Sequence, residues 1–210
     1  MTTFKHLITT EQELRDMLGV PASRSVLKER PVLDEHFRAY IAVSPFVLIA
    51  TSGSDGTCDV SPKGGVPGFV SVLDEQRLAV PDAPGNRLVY SLRNVVASGR
   101  AGLLFVIPGM EETLRVNGRA WLTCDPAVLE PLAAGAKPPK VAIGVEVEEA
   151  FLHCAKAFRR SALWQPPEWP DRSGLAPAAQ IWRDHIALDL TTQQVQDFVE
   201  DDYENNLTWR

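Results

Sequence analysis

Between Phe46 and Glu149 the chain carries six or seven short apolar segments, most of them separated only by hairpin-length turns. Parallel strands need crossovers of about a dozen residues, so links this short predict antiparallel pairing. Repeated short strands in one stretch point to a small barrel or sandwich. Phe46–Thr51 and Thr57–Ser61 flank the turn cluster Ser52-Gly53-Ser54-Asp55-Gly56. Gly68–Leu73 and Arg77–Pro81 flank Asp74-Glu75-Gln76. Ala101–Ile107 and Thr113–Thr123 follow. Val141–Glu148 then alternates apolar and polar residues with a period of two.

Helical signals flank and interrupt this block. Thr10-x-x-Glu13 is a capping box. Leu14, Met17 and Leu18 follow on one face, and Gly19 with Pro21 stops the helix. Leu33, Phe37, Tyr40 and Ile41 have the spacing of a second helix, which Pro45 ends. Leu88, Leu92, Val95 and Val96 mark a short helix inside the strand block. Asp125-Pro126 caps another that runs to Ala134. A Pro- and Trp-rich stretch leads to helices over Ala178–Leu188 and Thr192–Tyr203. The expected fold is mainly β with flanking helices. It is one unit overall, with an N-terminal helical segment over residues 1–45 packing on the barrel, the barrel over 46–165, and a helical extension over 166–210.

Charge and composition exclude several classes. Lys and Arg number 21 against 27 Asp and Glu, a net charge of −6, which does not suit a nucleic-acid binder. The longest apolar runs are too short to span a bilayer, and the N-terminus has no apolar signal core. Cys58, Cys124 and Cys154 have no short spacing, so neither a disulfide framework nor a zinc site is expected. Reduced, mostly packed thiols of a cytoplasmic protein are expected instead. The four histidines are scattered, and no metal site is expected. The sequence has no G-x-G-x-x-G, no P-loop and no G-x-S-x-G elbow. Trp121 reads as barrel or interface packing, His153-Cys154 as a buried pair, and Trp169 and Trp209 as interface anchors.

The remaining chemical signal is an anion-binding constellation. Ser61-Pro62-Lys63-Gly64 stands where a strand is expected to break into a loop. It supplies a hydroxyl, a point charge and glycines that let backbone N–H groups approach a ligand. Pro84-Gly85-Asn86-Arg87 reads as opening a helix, whose N-terminus favours phosphate and where Arg87 adds a bidentate donor. The same residues also fit a solvated turn.

The runs DVSPKGGVPGFVSVLDEQRLAVPDAPGNRLVYSLRNVV and GLLFVIPGMEETLRVNGRAWLTCDP resemble the pyridoxamine 5′-phosphate oxidase-like family of FMN-binding split-barrel proteins. The resemblance spans about residues 25 to 165 and is closest to a bacterial branch that also carries a C-A-K-A…R-S-x-L-W run, here within VEVEEAFLHCAKAFRRSALW. It implies a six-stranded antiparallel split barrel that forms a homodimer, with FMN at the interface. It places Ser61, Pro62 and Lys63 along the flavin and its phosphate, and Val80 and Pro81 beside the ribityl chain. Asn86 and Arg87 become the phosphate grip, and Thr113 meets the isoalloxazine edge. Lys156, Arg160 and Trp164 close the pocket, from the other subunit.

Two departures limit the carry-over. Asp59 stands near the position where true pyridoxamine phosphate oxidases carry an arginine, and their C-terminal R-x-H motif is absent. The resemblance therefore implies FMN binding without implying oxidation of vitamin B6. Three functions follow: an FMN-dependent oxidoreductase acting on a small-molecule substrate or electron donor, a non-catalytic flavin- or haem-binding protein, or a dimer with an empty pocket.

Overall fold

The computed structural model describes residues 4–133, 137–186 and 189–206. The expected helix ends at Ala134 and Leu188, and Trp209, lie outside them. Helices α1 (Glu11–Leu18), α2 (Ser23–Val26) and α3 (Glu35–Val43) precede strands β1 (Phe46–Ser52), β2 (Cys58–Gly64), β3 (Ser71–Val72) and β4 (Arg77–Pro81). Helix α4 (Tyr90–Ser98), strands β5 (Arg100–Val106) and β6 (Thr113–Thr123), helix α5 (Pro126–Leu129) and strand β7 (Ala142–His153) follow. Helices α6 (Lys156–Ser161), α7 (Ala178–His185) and α8 (Thr192–Asn206) are the last elements among the described residues.

All seven strands lie in one sheet, in the order β2-β1-β5-β6-β7-β4-β3, with every pairing antiparallel. The resemblance implied six; the seventh is the two-residue β3. The sheet curls. In a flat sheet β2 and β4 would stand about 24 Å apart, five spacings of about 4.8 Å. Yet Lys63 of β2 reaches Asp82, just past β4, at 2.9 Å. Registers give the stagger of this closure. Lys63 shares a row with Val47, Phe105 and Leu114, whereas Pro81 shares one with Ala142 and Thr123. Leu114 and Thr123 are nine residues apart on β6, so the edges meet with a large shear, as barrel closure demands. No backbone ladder joins β2 to β3 or β4, so the barrel stays open along this seam.

The curled sheet encloses one apolar cluster. Val47, Leu78, Phe105, Leu114 and Val116 are fully buried in it, with Leu33 and Ile41 from around α3 and Val95 from α4. Burial pushes the Tyr40 phenol up to about 12, and its hydroxyl donates to the Glu112 carbonyl at 2.8 Å, tying α3 to the β5–β6 turn. The capping box forms on Thr10 and Glu13 as its pattern predicts, and Gly19 ends α1 with φ of 77°. Helix α1 buries none of its residues, while α7 and α8 bury Ala179 and Val195.

Strand β7 runs five residues beyond the predicted Glu148. The alternation breaks there because Asn117 pairs Glu149 while Gly118 pairs Val147. Glu148 is thus the extra residue of a β-bulge, and the core-facing phase passes from Val147 to Ala150. A side chain at Gly118 would collide with the Glu146 carbonyl, so only glycine fits opposite the bulge. The Glu148 carboxylate is held outside by Arg100 and Arg119.

The cysteines depart from the expectation of packed thiols: all three are exposed. Cys58 alternates outward on β2, and Cys124 and Cys154 each follow the last residue of a strand. Trp121 is half exposed on β6, outside the core, and Cys154 leaves His153 as the half-buried member of that pair.

Candidate functional site

A cleft of about 270 Å³ opens at the seam, lined by residues including Pro62, Lys63, Phe69, Pro81, Gly85 and Asn86. Its two walls come from β2 and from the loop after β4. The predicted strand break at Ser61–Gly64 does not occur. β2 continues through Pro62, which pairs with Leu48, to Gly64. Proline is tolerated because β2 is an edge strand, where a missing N–H breaks no ladder. Continuing the strand puts Asp59, Ser61 and Lys63 on one face, half-buried, with Val60 and Pro62 exposed on the other.

Asp59 organises that face. Its Oδ2 accepts from the Ser61 hydroxyl at 3.0 Å and from the buried Ser91 hydroxyl of α4 at 3.1 Å. The Asn94 amide donates to Thr51 at 3.1 Å, so α4 docks on β1 and β2 through polar groups. Lys63 is not a free point charge, since its ammonium pairs with Asp82 with both side chains one-fifth exposed.

The loop at the opposite wall corrects a second expectation. Asn86 and Arg87 do not start the helix; α4 begins at Tyr90. Arg87 and Val89 both take left-handed backbone conformations, φ of 60° and 49°, which carry strain for non-glycine residues. The Asn86 Oδ1 accepts from the Leu88 N–H at 3.0 Å, closing a turn that local helix periodicity does not reveal. Val89 caps α4 without a side-chain bond. The N–H groups of Tyr90, Ser91 and Leu92 have no partner among the described residues.

Of the predicted residues, the structure brings Pro62, Lys63, Pro81 and Asn86 to the cleft. Ser61 stands beside it, held by Asp59. Val80 is fully buried in the core. Arg87 is exposed in the strained turn. Thr113 is buried at the start of β6, opposite His153. Lys156 and Arg160 are exposed on α6, while Trp164 donates to the Met110 carbonyl at 2.8 Å and stacks on Phe158. These last four do not line the cleft of this chain. Asp82 and Phe69 belong to the site and were not predicted. The sequence offers no signal for Asp82, because its contact with Lys63 depends on the shear of the whole barrel. Among the described residues no group of His, Cys, Asp and Glu side chains could hold a metal ion, and no helix is long and apolar enough to cross a membrane.

Comparison with known proteins adds the following. The chain is similar to a candidate pyridoxamine 5′-phosphate oxidase from Lactobacillus delbrueckii, at 21% identity over 58% of this chain and 95% of that one, with a TM-score of 0.47. It is similar to HupZ of Group A Streptococcus, at 16% identity over 57% and 92%, TM-score 0.47. HutZ, the haem storage protein of Vibrio cholerae, aligns at 12% identity over 57% and 94%, TM-score 0.42. No curated protein matches the chain. The family model described as pyridoxamine 5′-phosphate oxidase matches residues 33–154, more than half of the sequence and every strand of the barrel, and the chain belongs to that family.

Proposed function

We propose that the protein is an FMN-binding flavoprotein that works as a cytoplasmic homodimer and catalyses an FMN-dependent oxidation or reduction of a small molecule. The observation that carries this reading is the seam cleft, whose lining ends at Asn86; Arg87 follows it in sequence and, from Tyr90, come the N–H groups at the start of α4 that have no partner among the described residues. Those groups and the Arg87 guanidinium suit a terminal phosphate, and no second nucleotide motif calls for FAD. Bound FMN supplies the hydride or electron transfer itself. The chain's part is to hold and orient it. Arg87, beside Asn86, grips the phosphate, and the Lys63–Asp82 pair and Pro81 form the wall. Asp59 fixes the Ser61 hydroxyl toward the same face. Because Lys63 is already paired, most of the phosphate grip falls to Arg87 and the helix N–H groups.

Two facts support the homodimer. The cleft is at the low end of ligand-site volumes, so much of the flavin would need a second surface, to which Thr113, Lys156, Arg160 and Trp164 of another copy belong. Large apolar side chains also stand exposed on the sheet and its helices, among them Val60, Val96 and Trp121, of the kind that obligate dimers bury. Three exposed, unpaired cysteines suit a reducing compartment.

Purified protein should be yellow, release FMN on denaturation and scatter light as twice the chain mass. Release of FAD, a haem spectrum in place of a flavin one, or a monomer that holds flavin tightly would overturn the reading. Reduction by NAD(P)H followed by stoichiometric reoxidation separates an enzyme from a flavin carrier.

A further inference from the structure

Away from the seam, one group of cations stands without an anion. Leu114 and Val116 of β6 point into the core, so Thr113 and Arg115 lie on the other face of the sheet, Thr113 buried and Arg115 half-buried, directly opposite His153 and Phe151 of β7. The segment before α3 runs beside the same part of β7: Arg30 and Ala150 exchange both backbone hydrogen bonds, at 2.9 and 2.7 Å. This brings the Lys28 ammonium to 4.9 Å from the centre of the Phe151 ring, where it also donates to the Leu152 carbonyl at 3.2 Å. The Arg115 guanidinium lies 5.4 Å from the same ring centre. The His153 ring is 6.3 Å away, and its Nδ1 is buried with no hydrogen-bond partner.

Of these groups, the His153 Nδ1 is the one that is buried without a partner. Neither Lys28 nor Arg115 forms an ion pair among the described residues, and the half-buried Arg115 guanidinium makes no hydrogen bond there. The acid in the adjacent row, Glu149, accepts from Asn117 at 3.1 Å instead. A buried imidazole nitrogen without a partner is costly. Two cations and an imidazole around one apolar ring suit a dianionic oxyanion: a fork from Arg115, a point charge from Lys28 and a donor from His153.

We infer that Lys28, Arg115 and His153 form a binding site for a phosphate group, separate from the seam cleft. The inference does not rest on the flavin reading. The test is a titration of the intact protein with inorganic phosphate, read by NMR on the His153 imidazole, with chloride at matched ionic strength as control. A saturable shift with phosphate but not chloride is expected. Arg115→Met and Lys28→Met should each weaken it about ten- to a hundredfold, with partial recovery in Arg115→Lys. Lys28 is exposed, so its substitution keeps the test valid should Arg115→Met fail to fold. No saturable shift, an equal shift with chloride, or an unchanged affinity in both Met variants would overturn the site. FMN and riboflavin affinities are measured on the same variants and should be unchanged. A selective loss of FMN would place the flavin's own phosphate here and overturn the claim of a separate site.

Discussion

The two flanks of the barrel are held by different physics. On one, β6 and β7 pair without interruption of the ladder from Thr113 opposite His153 to Thr123 opposite Ala142, apart from a single bulge. On the other, β2 and β4 share no backbone pairing and meet through Lys63 and Asp82. The paired flank fixes geometry through backbone groups that any sequence supplies, so its sequence demands are steric, as at Gly118. The seam relies on particular side chains, and there a cleft opens.

The sharpest way to break this contrast is on the paired flank. Gly118→Val should destabilise the fold by about 3 kcal/mol or more, since the added side chain meets backbone that cannot yield. Chemical denaturation measures it, and a loss below about 1 kcal/mol would mean that the bulge adjusts freely. On the seam, Arg87→Ala should cost roughly 1.5–3 kcal/mol of FMN binding and leave riboflavin nearly untouched. Equal losses for both ligands would make Arg87 a structural residue. Lys63→Ala should weaken FMN less than Arg87→Ala does, because Asp82 already occupies the ammonium. A double-mutant cycle on Lys63 and Asp82 should give a coupling of about 1 kcal/mol in stability.

The smallest expected effect concerns pH. Burial first, and then the charges of Arg115 and Lys28, holds the His153 imidazole below its ordinary range. The unfolded chain therefore takes up this proton before the folded one does. Stability should fall as pH drops through about 6.5, the usual histidine value, and the slope should flatten in His153→Gln. A slope that survives the substitution would assign it to another group.

What the sequence discloses about this fold is what local rules carry. The Thr10–Glu13 box, the Asp125-Pro126 cap and the alternation from Val141 each depend on neighbours within a few residues. The failures arise where distant chain decides. Pro62 reads as a breaker until the strand is known to be an edge. Helix α4 starts at Tyr90 because two residues before it adopt left-handed conformations that periodicity does not encode. The bulge at Glu148 hides the last part of β7 by reversing its inward phase. Of the site, the wall residues were legible as a phosphate-seeking pattern. The pairing of Lys63 with Asp82 was not, since it is fixed by the summed registers of the strands between them.

That summation has a kinetic consequence. A contact whose geometry depends on every intervening register cannot form until all of those strands are in place. Substitutions at Lys63 and Asp82 should therefore leave the refolding rate unchanged and express their whole effect in faster unfolding, a φ-value near zero. That outcome would make the seam the last part of the barrel to assemble and the first to part.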